Sequence, residues 1–317
     1  VGRSGALLLS LAALAALALG ACTTSGDGGA ARHAAEDRAG ARDTAIVDDA
    51  GDTVRIAIPA RRVASLIPAT TELLFDLGAG HDVVGRTTWC DYPAAALAVP
   101  SLGDGINPSL EAIVASRPDL VLLYNSAQNE TVARRLRALG VPAMRLATDR
   151  LADVPRLANL LGALTGRGVT ADSLDAAYRR ALAAATVPPA PRRPAVFLLV
   201  WDQPPTTVGR GSYLTELIER AGGRNVFDDI AASSGAVSIE AVAARDPDAI
   251  LSLSDAPPRF VGRPEWRVVR AAREHRLILV SGSEFNRPTP RAPDAIRRLR
   301  ARLAAVTGDS AAGAGAR

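Results

Sequence analysis

The groups that catalysis usually needs are scarce in this sequence. His33, His81 and His275 are its 3 histidines, far apart and at no spacing that assembles a zinc or haem site. Cys22 and Cys90 are its 2 cysteines, so there is no Cys-x-x-Cys pair, and Cys90 reads as a partly buried thiol. No Gly-x-Ser-x-Gly elbow and no His-Glu-x-x-His helix occurs. Gly209-Arg210-Gly211 lacks the third glycine of a dinucleotide loop and the Lys-Ser or Lys-Thr ending of a phosphate loop. It reads better as a tight turn into a helix capped by Ser212. The expectation is a protein that is not an enzyme, with no metal site and no cofactor of its own.

Binding is the chemistry these residue types favour. Aromatics are few, 3 Trp, 4 Tyr and 5 Phe, so their positions are informative. Trp89, Tyr92 and Tyr124 fall in or beside loops that follow strands of the first half, and Trp201 and Phe285 take corresponding places in the second. Loops at the carboxyl ends of strands line the ligand crevices of α/β domains. A flat ring exposed there gains roughly 1 kcal/mol on stacking against a planar, partly apolar ligand, beyond the area it buries. Core filling is the competing role, strongest for Tyr124 and Trp201 and weakest for Trp89, which stands among polar residues and a proline. Arg210 and Arg287 face either an anionic part of such a ligand or water.

A second candidate function lies in a duplication. Ser109-Leu110-Glu111, an apolar turn, Arg117-Pro118-Asp119 and an aliphatic strand are matched by Ser238-Ile239-Glu240, Asp246-Pro247-Asp248 and a second strand. Each Ser can cap a helix, and each Glu then stands in the first turn, against the positive end of the macrodipole. Each Pro ends the helix before the strand. Good helix-start chemistry alone would explain one Glu. Two at equivalent places in two half-chains suit a surface that docks on a two-fold partner.

The elements that must position these residues alternate. A hairpin around Asp49-Ala50-Gly51-Asp52 leads to short apolar strands at 63–66, 83–85, 120–124 and 143–147, with helices at 68–78 and 129–139. From 151 to 186 the pattern is helical with a break near Gly166-Arg167-Gly168, and residues 170–185 read as one long helix. Strands at 195–201, 250–253 and 277–280 and helices at 213–221 and 293–306 complete a second half. The fold class expected is α/β: two Rossmann-like lobes with mainly parallel sheets joined by one long α-helix.

Nearly half of the residues are apolar (48%), enough for cores of ordinary extent. All 37 basic residues are Arg, scattered rather than gathered into a stripe with interleaved aromatics, which argues against nucleic acid as a partner. At the amino end Arg3 precedes an apolar run, Ala6 to Leu19, followed by Leu19-Gly20-Ala21-Cys22, the order of an export signal. The Cys at its exit resembles a lipobox, in which Cys22 becomes a lipid-modified first residue held at a membrane surface. The expected divisions are a signal at 1–22, a flexible tether at 23–44, an amino-terminal lobe at 45–168, a bridging helix at 169–187, a carboxyl-terminal lobe at 188–308 and a loose tail at 309–317.

Arg62-Val63-Ala64-Ser65-Leu66-Ile67-Pro68-Ala69-Thr70-Thr71-Glu72, Leu77-Gly78, Val83-Val84-Gly85 and Trp89-Cys90-Asp91-Tyr92-Pro93 resemble the periplasmic cobalamin- and siderophore-binding proteins of ABC importers. The likeness runs through both copies of the repeat, Gly222-Gly223-Arg224-Asn225-Val226-Phe227 and Arg287-Pro288-Thr289-Pro290-Arg291, and covers roughly 61–306. The resemblance implies two lobes bridged by one helix, a ligand between them and small closure motions. It implies that Glu111 and Glu240 pair with arginines of a membrane permease dimer, the binding protein itself being a monomer. Asp91-Tyr92-Pro93 with Trp89 resembles the cobalamin branch, although Gly103-Asp104 and Ser233-Ser234 stand where that branch has tryptophans. A corrinoid is therefore ranked first, a ferric siderophore second, and haem third for want of a Tyr-His pair. The opposed class is an enzyme on the same scaffold, for which no motif names a substrate.

Overall fold

The computed structural model describes residues 42–307. The signal, Cys22, His33, most of the tether and the tail lie outside the described residues. The expected hairpin is present. Its turn is held by the Asp48 carboxylate, which accepts from the Ala50 and Asp52 backbone N–H groups at 3.0 and 2.9 Å, and Gly51 supplies the left-handed residue at φ 84°. It joins β1 (Arg42–Val47) to β2 (Thr53–Ile58). Three residues assigned to the tether, 42–44, are thus strand.

The amino-terminal lobe is a parallel sheet in the order β4-β3-β5-β6. Along the chain come β3 (Val63–Ser65), α1 (Pro68–Asp76), β4 (Val83–Arg86), α2 (Leu110–Ala115), β5 (Leu120–Tyr124), α3 (Ala127–Ala138) and β6 (Ala143–Leu146). The first four residues of β5, Leu-Val-Leu-Leu, are all buried, as a parallel strand covered on both faces requires. Two helices follow, α4 (Asp153–Thr165) and α5 (Gly168–Ala185). The break between them sits where the sequence places it, with Gly166 left-handed at φ 73°.

The carboxyl-terminal lobe repeats the plan. It contains β7 (Ala195–Leu199), β8 (Trp201–Asp202), β9 (Pro205–Val208), α6 (Tyr213–Arg220), β10 (Arg224–Asn225), β11 (Ser234–Ala236), α7 (Ile239–Ala244), β12 (Ala249–Ser252), α8 (Arg270–Arg273), β13 (Leu277–Leu279), α9 (Ser283–Asn286) and α10 (Ala292–Thr307). Its parallel sheet has the order β10-β7-β12-β13, so two parallel sheets joined through one long helix are the fold. A three-stranded antiparallel sheet, β11-β9-β8, was not expected. The run 195–201, read as one strand, leaves the parallel sheet at Val200, and Trp201 pairs with Thr206 instead. Strands of two to four residues interrupted by Pro204 and Pro205 leave no alternation to read.

One apolar cluster runs through both lobes. It takes Leu73 and Leu161 from the first, Tyr178 from α5, and Leu217, Ile296 and Leu299 from the second. The bridging helix is therefore a packed part of a shared core, held against α4 and α10. A fully buried Leu is worth about 2 kcal/mol against an exposed one, so a seam of this kind resists rotation of one lobe on the other.

The duplication is structural. Ser109 accepts from the Ala112 N–H at 3.2 Å and Ser238 from the Ala241 N–H at 3.1 Å. Arg117 and Asp246, each before its proline, are both left-handed, at φ 46° and 42°. Asp119 accepts from the N–H groups of Arg61 and Arg62 at 2.7 and 3.0 Å, and Asp248 from that of Ala195 at 2.9 Å, so each clamps the entry of its lobe's central strand. A backbone bond to a charged acceptor is worth about 1.5 kcal/mol at a half-exposed site. Asp248→Ala should lower urea-unfolding stability by about that amount and Asp119→Ala, which removes two such bonds, by up to about twice it, whereas Asp175→Ala, which removes a pair with Arg179, should change it by less than about 0.5 kcal/mol.

Candidate functional site

Helices that precede strands in a parallel sheet run against them, so the starts of α2 and α7 and the loops after β3, β4 and β5 share the carboxyl edges of the sheets. In the amino-terminal lobe that edge is built on a buried polar knot. Thr71 Oγ1 lies 2.8 Å from the Ser65 hydroxyl and 3.1 Å from Cys90 Sγ, and Thr87 Oγ1 lies 3.2 Å from Cys90 Sγ. Cys90 is fully buried, a peg for the loop after β4. With Cys90 turned inward, its neighbours turn outward, and Trp89 is 66% exposed. Tyr92 is partly exposed, with the Arg291 guanidinium 3.9 Å above its ring centre.

Tyr124 ends β5 partly exposed, its hydroxyl donating to Asp149 at 2.6 Å. Burial of part of the ring, then the Asp149 carboxylate, push that hydroxyl up to about 12, so it is a hydrogen-bond donor at neutral pH. Asn129 donates to the carbonyls of Tyr124 and Gly105 at 3.0 and 3.3 Å, which ties the loop before α2 to the end of β5. Gly105 is needed there because a Cβ would stand 3.1 Å from the Leu66 carbonyl oxygen. That loop leaves Ile106 exposed beside the aromatic loops.

In the other lobe Trp201, the first residue of β8 and just past the carboxyl end of β7, is 64% exposed, its indole N–H donating to the Gln203 carbonyl at 2.9 Å. Val200 beside it is exposed as well. Arg210 is exposed after Gly209, and its guanidinium has no partner among the described residues. Ser212 caps α6 by accepting from the Leu214 N–H at 3.2 Å, as the turn reading requires. Phe285 is a correction. It is 1% exposed, under the Arg298 guanidinium at 5.0 Å, and offers no face to a ligand. A helix of one turn, α9, faces it into the core, where a loop after β13 had been expected. Arg287 is also not free: it donates to the Asp91 carboxylate and, at 3.4 Å, to the Trp89 carbonyl. Burial would raise the Asp91 carboxyl, but the hydrogen bond and charge of Arg287 outweigh it and hold Asp91 below its usual range.

Between the lobes lies the group that sequence reasoning missed. Glu72, on the buried face of α1, is fully buried and takes both Nε and Nη2 of Arg291, at 2.7 and 2.9 Å. Arg291 Nη1 donates to Glu284 at 2.7 Å, and Arg298 pairs with the other Glu284 oxygen. The Glu284 carbonyl in turn accepts from Tyr213 at 2.6 Å. Farther along the seam Glu216 pairs with Arg150 at 2.6 Å and accepts from the Leu151 N–H at 2.7 Å. A carboxylate four residues after Pro68, among apolar helix positions, was the available signal, since a buried charge demands a partner.

Glu111 and Glu240 are exposed in the first turns of α2 and α7, and neither has an ion pair among the described residues. The Glu240 carboxyl lies below its usual range, held first by its own backbone N–H and then by Ser238.

A family model described as periplasmic binding protein matches residues 63–282. The vitamin B12-binding protein of Vibrio parahaemolyticus is 27% identical over 240 residues, 75% of this chain and 87% of its own length. Among solved structures, the periplasmic vitamin B12-binding protein BtuF of Vibrio cholerae is similar at a TM-score of 0.67 and 25% identity, covering 78% of this chain and 98% of that one. The periplasmic heme-binding protein RhuT of Roseiflexus sp. RS-1 is similar at a TM-score of 0.69 and 25% identity, covering 78% and 99%.

Removing one partner of a buried pair costs about 3–5 kcal/mol because the other charge is stranded. Arg291→Met should therefore lower stability by that order in chemical denaturation. The double variant Glu72→Gln with Arg291→Met should recover most of the loss.

Proposed function

The chain belongs to the periplasmic binding protein family, and from that premise we propose that it is the exported, lipid-anchored cargo carrier of an ABC importer. It takes a corrinoid between its lobes and hands it to a membrane permease. The observation that carries this reading is the pair of indoles, Trp89 and Trp201, exposed after β4 in one lobe and after β7, at the start of β8, in the other. Two of the 3 tryptophans, each with an exposed aliphatic neighbour in Ile106 or Val200, are thus left as apolar surface that a ligand can cover. A corrinoid offers a broad planar face and an apolar rim to such rings, and Tyr124, Ile106 and Val200 extend the apolar surface. A ferric siderophore or haem is the second reading, favoured by the similarity in fold to a heme-binding protein. In this account Cys22 bears the lipid and residues 23–41 tether the folded part. Glu111 and Glu240, one on each lobe, meet basic residues of the permease dimer.

Titration with cyanocobalamin, a ferric hydroxamate and haem should quench tryptophan fluorescence saturably for one of the three. Trp89→Ala should weaken that binding about tenfold, the scale of 1–2 kcal/mol of stacking and burial. No saturable response to any of the three rejects this ligand class. The variant Glu111→Ala with Glu240→Ala should bind with unchanged affinity yet fail to support uptake in cells, and uptake at the normal rate would remove the docking role.

A further inference from the structure

The loop 88–93 has two fastenings, one in each lobe. From below, Cys90 is held by Thr71 and Thr87 of its own lobe. From across the seam, Arg287 grips both flanks of Cys90, the Trp89 carbonyl on one side and the Asp91 carboxylate on the other. Trp89 stands between the two fastenings, and its own indole has no hydrogen bond among the described residues. The direction of the ring is thus set by the peptides around it: the Trp89 N–H donates to Thr87 Oγ1 at 3.2 Å, and its carbonyl accepts from the Asp91 N–H at 3.1 Å as well as from Arg287 of the opposite lobe at 3.4 Å. The Arg287 Nε is buried without a partner, so the hydrogen bonds of this guanidinium are concentrated on the loop.

We propose that Arg287 is a positioning residue for Trp89: by bridging the Trp89 carbonyl and the Asp91 carboxylate it fixes the ligand-facing indole with respect to both lobes. Asp91 is more than half exposed, so the pair adds little to global stability. Its effect is geometric. A guanidinium can serve a carbonyl and a carboxylate at once from a rigid fork, which the single ammonium of a lysine does less well. Loss of the bridge releases the residues on both sides of Cys90 from the opposite lobe while the Cys90 thiol stays seated, so the indole samples more directions and pre-organisation for a flat ligand falls.

Hydrogen exchange on the ligand-free protein tests this without any assumption about cargo. A peptide spanning 88–92 should exchange at least fivefold faster in Arg287→Ala and in Asp91→Asn, with Arg287→Lys between these and the parent and a peptide over β3 unchanged. The double variant Asp91→Asn with Arg287→Ala should be no faster than the faster single one. Unchanged exchange in both single variants, or effects that multiply in the double, overturns the bridge. A second arm rests on the proposed function and uses cyanocobalamin. Each single variant should weaken binding three- to tenfold through faster release, and the double by no more. Losses that multiply would mean that Arg287 and Asp91 act on the ligand separately, and would overturn the positioning role. Absence of cyanocobalamin binding by the parent protein would instead count against the corrinoid reading, and the exchange result would still decide on the bridge.

Discussion

A buried carboxylate of one lobe is neutralised by a guanidinium of the other, and the geometry of everything between the lobes depends on that. Glu72 has no water contact, so its charge is tolerable only while Arg291 supplies both of its hydrogen bonds. Arg291 is itself oriented by Glu284 below and by the Tyr92 ring above. An exposed ion pair worth under about 1 kcal/mol would leave the lobe angle soft. A pair whose rupture strands a charge at several times that cost makes the angle a fixed property of the folded state.

The shared apolar core reinforces the constraint. Because one face of α5 packs on α4 and α10 through Ala171, Tyr178 and Ala185, with Leu174 and Leu182 half-buried beside them, rotation of the lobes would open an apolar seam. In the proposed reading a carrier so built recognises cargo through rings carried on lobes of fixed angle, and it presents two acidic helix starts, one on each lobe, to its permease. In the proposed reading one rigid body thus serves two recognitions, cargo in the crevice and permease at the helix tips.

The fold was legible where local chemistry repeats. Alternating apolar strands and helices ended by Gly78, Gly140 and Gly166 were placed within a few residues, because a left-handed cap is a local demand. The Ser and Pro-Asp signature of the duplication proved to be a helix cap and a strand clamp in both halves. The antiparallel sheet was not legible, since two-residue strands such as Trp201–Asp202 have no period. Among the candidate site residues, the exposure of Trp89 is legible from its polar neighbours, whereas Phe285 sits in a one-turn helix that tertiary packing alone turns inward. Glu72 was read as part of a helix start, because a residue whose partner lies 219 positions away carries no local mark of it. The same holds for Arg287 and Asp91, which meet across 196 positions.

The most direct test of the whole account is a crystal structure of the chain with its cargo bound. The account predicts a planar ligand between Trp89 and Trp201, with the Glu72–Arg291 pair intact and the lobes at the angle seen without ligand. A ligand seated elsewhere, or lobes rotated with that pair broken, would contradict it.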